Sequence, residues 1–111
     1  MRAGDVIRVD FGIPAGSEPG FVRPAVVVTA NTVLQAAPRT CHVVPVTSNV
    51  GRGLPTDVAI VASGLTLASV AQCHLCTVVS IERVMEDDLG SIGSSALAQV
   101  RVLLGDLLDI G

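Results

Sequence analysis

Through its first half the chain's apolar residues arrive in short, β-branched bursts, each cut off by glycine, proline or asparagine before it could complete three helical turns. Only a fold of several short strands accommodates that pattern. Val6-Ile7-Arg8-Val9-Asp10-Phe11 alternates: Ile7, Val9 and Phe11 share one face and Arg8 and Asp10 the other, the period of a half-buried strand. Gly12 to Gly20 supplies glycines and prolines and reads as a loop. Pro24 to Thr29 is an apolar run with the signature of a strand buried on both faces. Asn31 to Arg39 is a connection with room for a helical turn. Thr40 to Thr47 is another strand, in which Pro45 predicts an edge or a bulge. Ser48 to Pro55 reads as a loop. Thr56 to Val61, Val70 to Cys73 and Cys76 to Ile81 read as further strands, the last two forming one bent ribbon, with a turn near Ser63-Gly64.

The period changes only near the C-terminus. Leu97, Val100, Leu104 and Leu107 or Leu108 fall at the spacing of an amphipathic helix that starts at Gly93 or Ser94, with the Ser94 hydroxyl as its expected cap. Gly105 costs ~1 kcal/mol against alanine there, which should loosen the last turn. Short strands, long loops and one terminal helix predict a small barrel or an α+β fold.

A length of 111 residues fits one domain over 1–111, because two independent cores would each be too small. With 50% hydrophobic residues, disorder is excluded. Three cysteines are an odd count for a disulfide scaffold. Met1 to Asp10 carries Asp5 and Asp10 and has no apolar core of a secretory signal. Val58 to Ile81 lacks formal charge if His74 is neutral, long enough to span a bilayer, yet its valines, threonines and serines suit buried strands. A soluble, cytoplasmic domain without a membrane segment is expected. The seven basic residues are all arginines, outnumbered by ten acids, so no global basic field attracts nucleic acid. A nucleic-acid site must then be local and arginine-based. Glu86, Asp87 and Asp88 read as a solvated turn.

Cys73-His74-Leu75-Cys76 has a C-x-x-C spacing, and Cys41-His42 repeats the pair. Zinc needs four converging ligands, and on an extended strand positions 73 and 76 face opposite sides, so structural cysteines and no metal are expected. No nucleophile elbow, dinucleotide loop or phosphate-binding lysine is present. His42 sits an odd number of residues from Thr47 along one strand, on the other face, which argues against a general-base pairing. Arg23, before Pro24 and after the glycine-rich loop, and Thr47, ending a strand before Ser48-Asn49, remain. An arginine fork with nearby hydroxyls is the chemistry of phosphate recognition; a salt bridge from Arg23 to Asp10 or Glu18 is the structural alternative.

Gly4-Asp5-Val6-Ile7, Val9-Asp10-Phe11, Gly16-Ser17-Glu18, Arg23-Pro24-Ala25-Val26-Val27-Val28 and Val44-Pro45-Val46-Thr47-Ser48-Asn49 resemble, in order and spacing, the MazF/PemK toxins of type II toxin–antitoxin pairs. The likeness extends through Ser69-Val70, Arg83 and the terminal helix. It implies a mainly β fold, a small SH3-like barrel of the CcdB/PemK type with a C-terminal helix. It also implies a homodimer, a cognate antitoxin partner, and metal-independent cleavage of single-stranded RNA with no cofactor. By match of motif, Arg23 and Thr47 are the expected catalytic pair. Ser17 and Glu18 lie in the loop bordering the family's site, and Ser48, Asn49 and Arg52 are expected to contact substrate. Arginine stays protonated, so Arg23 is assigned the phosphate charge and Thr47 a phosphate hydrogen bond, while Glu18 is the expected general base. Many relatives carry Asp-Gln-x-Arg where this chain reads His74-Leu75-Cys76-Thr77, so RNA contacts from that segment should differ. Two other readings keep the fold: a CcdB-like toxin that binds a topoisomerase without cutting RNA, and an inactive barrel that only binds its antitoxin.

Overall fold

The computed structural model describes residues 1–110 apart from the Arg52 side chain. Among the described residues the elements run β1 (Val6–Asp10), β2 (Val22–Val27), α1 (Asn31–Leu34), β3 (Thr40–Thr47), β4 (Asp57–Ile60), β5 (Ser69–Gln72), β6 (Thr77–Ser80), β7 (Val84–Glu86) and α2 (Gly93–Leu108). Short 3-10 turns occupy Val50–Arg52, Cys73–Leu75 and Ile81–Arg83.

All strand pairs are antiparallel, and β3 is common to two sets of strands. One of its edges meets β2 through Ala25↔Pro45, Val26↔Val44 and Val27↔Val43. Its other edge is divided: Thr40 to Val43 pair with β6, and Val46 and Thr47 pair with β5, which in turn pairs with β4. Pro45 falls in the gap between these two partners. The expected edge or bulge is therefore a changeover point in a central strand, and the reason is the same: proline has no N–H to give a ladder.

Each half of β3 serves its own core. Strands β7, β1, β2, β3 and β6 curl around Ile7, Val9, Ala25, Val27, Val43 and Val79 as a small barrel. Hydrogen-bonded pairing does not join β6 to β7; the Ile81–Arg83 turn bridges them instead. On the opposite face Val6, Val26, Val44 and Val46 meet Val58, Ile60, Ala71 and Val100 beneath α2. Adjacent residues such as Val26 and Val27 thus enter different cores, which is why this run is apolar without alternation. The separation of Ile7, Val9 and Phe11 from Arg8 and Asp10 follows the sequence expectation.

Several local details differ from that expectation. Strand β7 was not foreseen: Val84 and Glu86 pair with Val9 and Arg8 and cover the β1 edge, so Glu86 belongs to a strand rather than a turn. Cys73–Leu75 is a 3-10 turn between β5 and β6. Helix α2 has Ile92 at its N-cap with no side-chain cap, so Ser94 does not cap it; just before the helix the Ser91 hydroxyl accepts the Gly93 N–H at 3.1 Å. It continues regularly through Gly105 to Leu108, although Leu107 and Leu108 are exposed beyond the stripe that Leu97, Val100 and Leu104 press onto the core. No helix of the described residues is long and apolar enough to cross a membrane.

The loop from residue 61 to 68 carries the turn at Ser63-Gly64 and is held against the segment leading into α2. Gly64 donates its N–H to the Leu89 carbonyl at 2.9 Å, and a Cβ on Gly64 would sit 2.7 Å from Leu89 Cα. Gly90, at φ +92°, brings its backbone as close to Ser63. Gly64→Ala must therefore push these backbones away from each other. It should lower stability by about 1–3 kcal/mol, the scale of overpacking, read as a lower urea midpoint; an unchanged midpoint would show that the loops separate freely.

Candidate active site

Arg23 stands on β2 opposite Val9, one residue before the proline that biases it to an extended backbone. Continuing the β2–β3 register two steps beyond Ala25↔Pro45 brings it level with Thr47 at the end of β3. The two residues line one cavity of about 380 Å³, together with Arg8, Pro24, Val46, Ser48, Ser69 and the Gly64–Leu67 stretch.

The guanidinium is anchored from its inner side. Nε and Nη2 donate to the Val46 carbonyl at 3.3 and 3.1 Å, and Nη2 also donates to Gln72 Oε1 at 2.8 Å. Both acceptors are uncharged. Among the described residues the one ion pair is Arg8 with Glu86, at 3.2 Å, so neither Asp10 nor Glu18 neutralises Arg23. Burial lowers the Arg23 pKa from its ordinary value because water solvates the cation less well there. Arginine's reserve is large enough that it remains a cation at neutral pH. An uncompensated, half-buried cation facing a cavity is a ready anion site.

Thr47 adds a hydroxyl whose role is oriented by the backbone. Its Oγ1 accepts the Asn49 N–H at 3.1 Å, which leaves the hydroxyl hydrogen to donate elsewhere. An oxyanion in the cavity would meet two kinds of donor, the guanidinium and this hydroxyl.

Of the residues expected at the site, Arg23, Thr47 and Ser48 come together. Asn49 contributes its backbone N–H to Thr47 rather than lining the cavity. Ser17 and Glu18 do not line this cavity. Glu18 lines a separate depression with Phe11, Pro19, Arg83 and Thr77–Ser80 of β6, and its Oε1 accepts the Ala15 N–H at 3.1 Å. Ser17 is exposed in the same loop. The cause lies at the loop's base: Phe11 and Phe21 each donate across it, to Phe21 O at 2.8 Å and Gly12 O at 2.7 Å. Gly20 packs so tightly on the Pro14 ring that no Cβ would fit. The Arg52 side chain lies outside the described residues.

Arg8, Gln72, Ser69 and the loop over Gly64–Leu67 were not placed at the site from sequence. The one available signal for Gln72 was an amide inside the long uncharged stretch Val58 to Ile81. The cysteine and histidine residues take no part in the cavity. Strand parity does not apply to Cys73 and Cys76, because a 3-10 turn joins them. All three cysteines are free, and among the described residues no three His, Cys, Asp or Glu groups gather as a metal site. His74 Nδ1 lies 3.0 Å from Thr56 Oγ1, and His42 is exposed.

The architecture and its pocket define a small antiparallel β protein with an arginine-lined cavity at the end of β3. Over residues 2–108 the chain matches the family of PemK-like, MazF-like toxins of type II toxin-antitoxin systems, and it belongs to that family. It is 34% identical to Endoribonuclease MazF9 of Mycobacterium tuberculosis (strain ATCC 25618 / H37Rv), over 99% of this chain and 98% of that protein. The crystal structure of MazF (Form-I) from Deinococcus radiodurans superposes with a TM-score of 0.83 at 28% identity, covering 98% of this chain and 96% of that one. The MazE-MazF (Form-II) structure from the same organism gives 0.77 at 25% identity, covering 100% and 97%.

Burial, then the neighbouring Cys76 and Asp57, push the Cys73 thiol up from 9.0 to about 11. The folded state therefore holds this proton more tightly than the unfolded chain. Its contribution to stability is complete below pH 9 and is lost as pH rises through about 11. Melting temperature should fall across that window, and Cys73→Ala should flatten the fall. A profile identical in the variant would assign the alkaline loss to other groups.

Proposed function

We propose that this protein is the toxin of a type II toxin–antitoxin pair, a single-domain, metal-independent and sequence-specific endoribonuclease acting on single-stranded RNA in the cytoplasm. The observation that carries this reading is the Arg23 cation, tethered only by uncharged acceptors beside the Thr47 hydroxyl in an open cavity. Family membership and the 34% identity to a protein named an endoribonuclease support it. A topoisomerase-binding toxin would have no use for such a pair.

The chemistry asked of the site is attack of the ribose 2′-oxygen on the adjacent phosphorus with departure of the 5′-oxygen. The 2′-hydroxyl gives up its proton, the 5′-oxygen gains one, and the products are a 2′,3′-cyclic phosphate and a 5′-hydroxyl. Negative charge builds on the non-bridging oxygens in the transition state. Arg23 and Thr47 donate to those oxygens, and the fixed guanidinium needs no reorganisation at that moment. The lowered Arg23 pKa also makes it a better proton donor to the departing 5′-oxygen. Ser48 supports the substrate from the same wall, with Asn49 and Arg52 on the segment that follows. Glu18 could serve as the base only if the residue 12–20 loop carried it to the phosphate, and Ser17 would travel with it.

The proposed partners follow from the same surface. A solved structure named MazE-MazF (Form-II) covers this chain's full length at 25% identity, and we assign this chain an antitoxin partner whose carboxylates compete with phosphate for Arg23. A homodimer is proposed from the apolar side chains left uncovered where β6 meets the end of α2: Val78, Leu107 and Leu108 surround a depression of about 460 Å³. Sedimentation at micromolar concentration should show twice 11.3 kDa; an 11.3 kDa species alone would refute the dimer.

Incubating the purified protein with a long RNA in EDTA, and mapping the new 5′-ends, should reveal cleavage at a recurring sequence. Arg23→Ala should slow that cleavage by ~10²-fold or more, the scale of a lost oxyanion donor, with little change in melting temperature. Arg23→Lys should restore only part of the rate, because a point charge does not reproduce the fork. Unchanged cleavage with a lower melting point would make Arg23 a structural residue.

A further inference from the structure

The tether of Arg23 has an asymmetry that its chemistry does not require. One acceptor, the Val46 carbonyl, belongs to the neighbouring strand and would be there whatever the sequence. The other, Gln72 Oε1, is a side chain reaching from β5, two strands away from β2, and makes the shortest of the three contacts at 2.8 Å. Arginine has only donors, so the amide oxygen and not its nitrogen must face the guanidinium. A buried arginine in most proteins is met by a carboxylate, and the resulting pair is neutral. Here the partner has the reach and shape of glutamate without its charge.

We propose that Gln72 is a positioning residue for Arg23, an acceptor that fixes the guanidinium while leaving its positive charge for the RNA phosphate. The inference rests on the reading that Arg23 contacts the scissile phosphate. Two elements of the fold make Gln72 suited to this. Its backbone is held in the β4–β5 ladder opposite Asp57, so the amide is presented from a paired strand and not from a loop. Immediately after it the chain enters the Cys73–Leu75 turn, with Cys73 buried, which ends the strand at this residue and fixes its height along β3. The carbonyl of Val46 alone would let the guanidinium pivot; the second acceptor from β5 defines its plane.

Charge and tether can be separated by substitution. Gln72→Glu keeps length and acceptor but pairs Arg23 with an anion. Gln72→Met keeps approximate volume and removes the acceptor. Both are compared with wild type and Arg23→Ala in cleaving an RNA whose cut site has been mapped, and in binding its 2′-O-methyl analogue across a range of NaCl concentrations. Gln72→Met should lower kcat about 10- to 100-fold, the scale of a hydrogen bond to a charged group, with KM little changed. Gln72→Glu should cleave as poorly as Arg23→Ala. It should also flatten the dependence of log affinity on log salt by about 0.7, one phosphate contact on a single strand. In the Arg23→Ala background neither change should cost anything further, because the group it acts through is gone.

Gln72→Glu with wild-type cleavage and salt slope overturns the proposal, as does a loss from Gln72→Met that persists in full without Arg23. Should Gln72→Met fail to fold, Gln72→Glu decides the matter, since it preserves size and acceptor. If Arg23→Ala itself cleaves like wild type, the reading of the site falls and the proposal with it. If Arg23→Ala is inactive while both Gln72 variants are normal, the site stands and only the role of Gln72 fails.

Discussion

A single missing N–H organises this molecule. At Pro45 the ladder on one side of β3 has no donor, and there its partner changes from β6 to β5. The strand before the proline belongs to the small, open barrel; the two residues after it turn into the second set of strands, on which α2 lies. Val46 and Thr47 occupy the seam between the two cores, where one strand leaves the barrel and its end opens into the cavity. The backbone carbonyl that anchors Arg23 and the hydroxyl beside it are consecutive residues after that changeover. The site is a by-product of how β3 is shared.

The electrostatics follow the same economy. The chain is acidic overall, with a net charge of −3, and no broad positive field gathers RNA to it. What it offers is one local cation whose polar neighbours are neutral, with a second arginine, Arg8, engaged by Glu86 on the same cavity's rim. Desolvation strengthens a hydrogen bond to an incoming phosphate as much as it lowers the arginine's own pKa. Affinity on such a surface depends on placement more than on total charge.

Most of the fold was legible in the sequence because its signals are local. Alternation at Val6–Phe11, the unbroken apolar run after Pro24 and the helical stripe at Leu97, Val100 and Leu104 each report burial that short-range periodicity encodes. The misses were those that depend on distant partners. Val84–Glu86 is a strand only because β1 has an open edge beside it, and Cys73–Leu75 turns because β5 and β6 must reach different stretches of β3. Ser94 looked like a cap, yet the helix already begins at Gly93, which has φ +83°, and Ser94 lies inside it. For the site, motif order pointed to Arg23 and Thr47, and cross-strand register explains why positions so far apart in sequence meet. Glu18 looked equally placed in the motif, but the hydrogen bonds of Phe11 and Phe21 turn its loop toward β6. Gln72 had no motif at all. Its meaning appears only when β2 and β5 are seen on either side of β3.

The two glycine contacts that join Ser63-Gly64 to Leu89-Gly90 bring the backbone of the cavity's far wall directly against the segment that leads into α2. The stretch that faces Arg23 across the cavity therefore has no slack of its own. Leu89 and Ile92, which anchor the start of the helix in the second core, also set where Leu65 and Thr66 stand. The width of the opening is, in effect, dimensioned by the seating of a helix that never touches it, much as a door frame is squared by the beam above. A substitution under α2 that displaces Leu89 should therefore reach the aperture through Gly64, without touching the cavity itself.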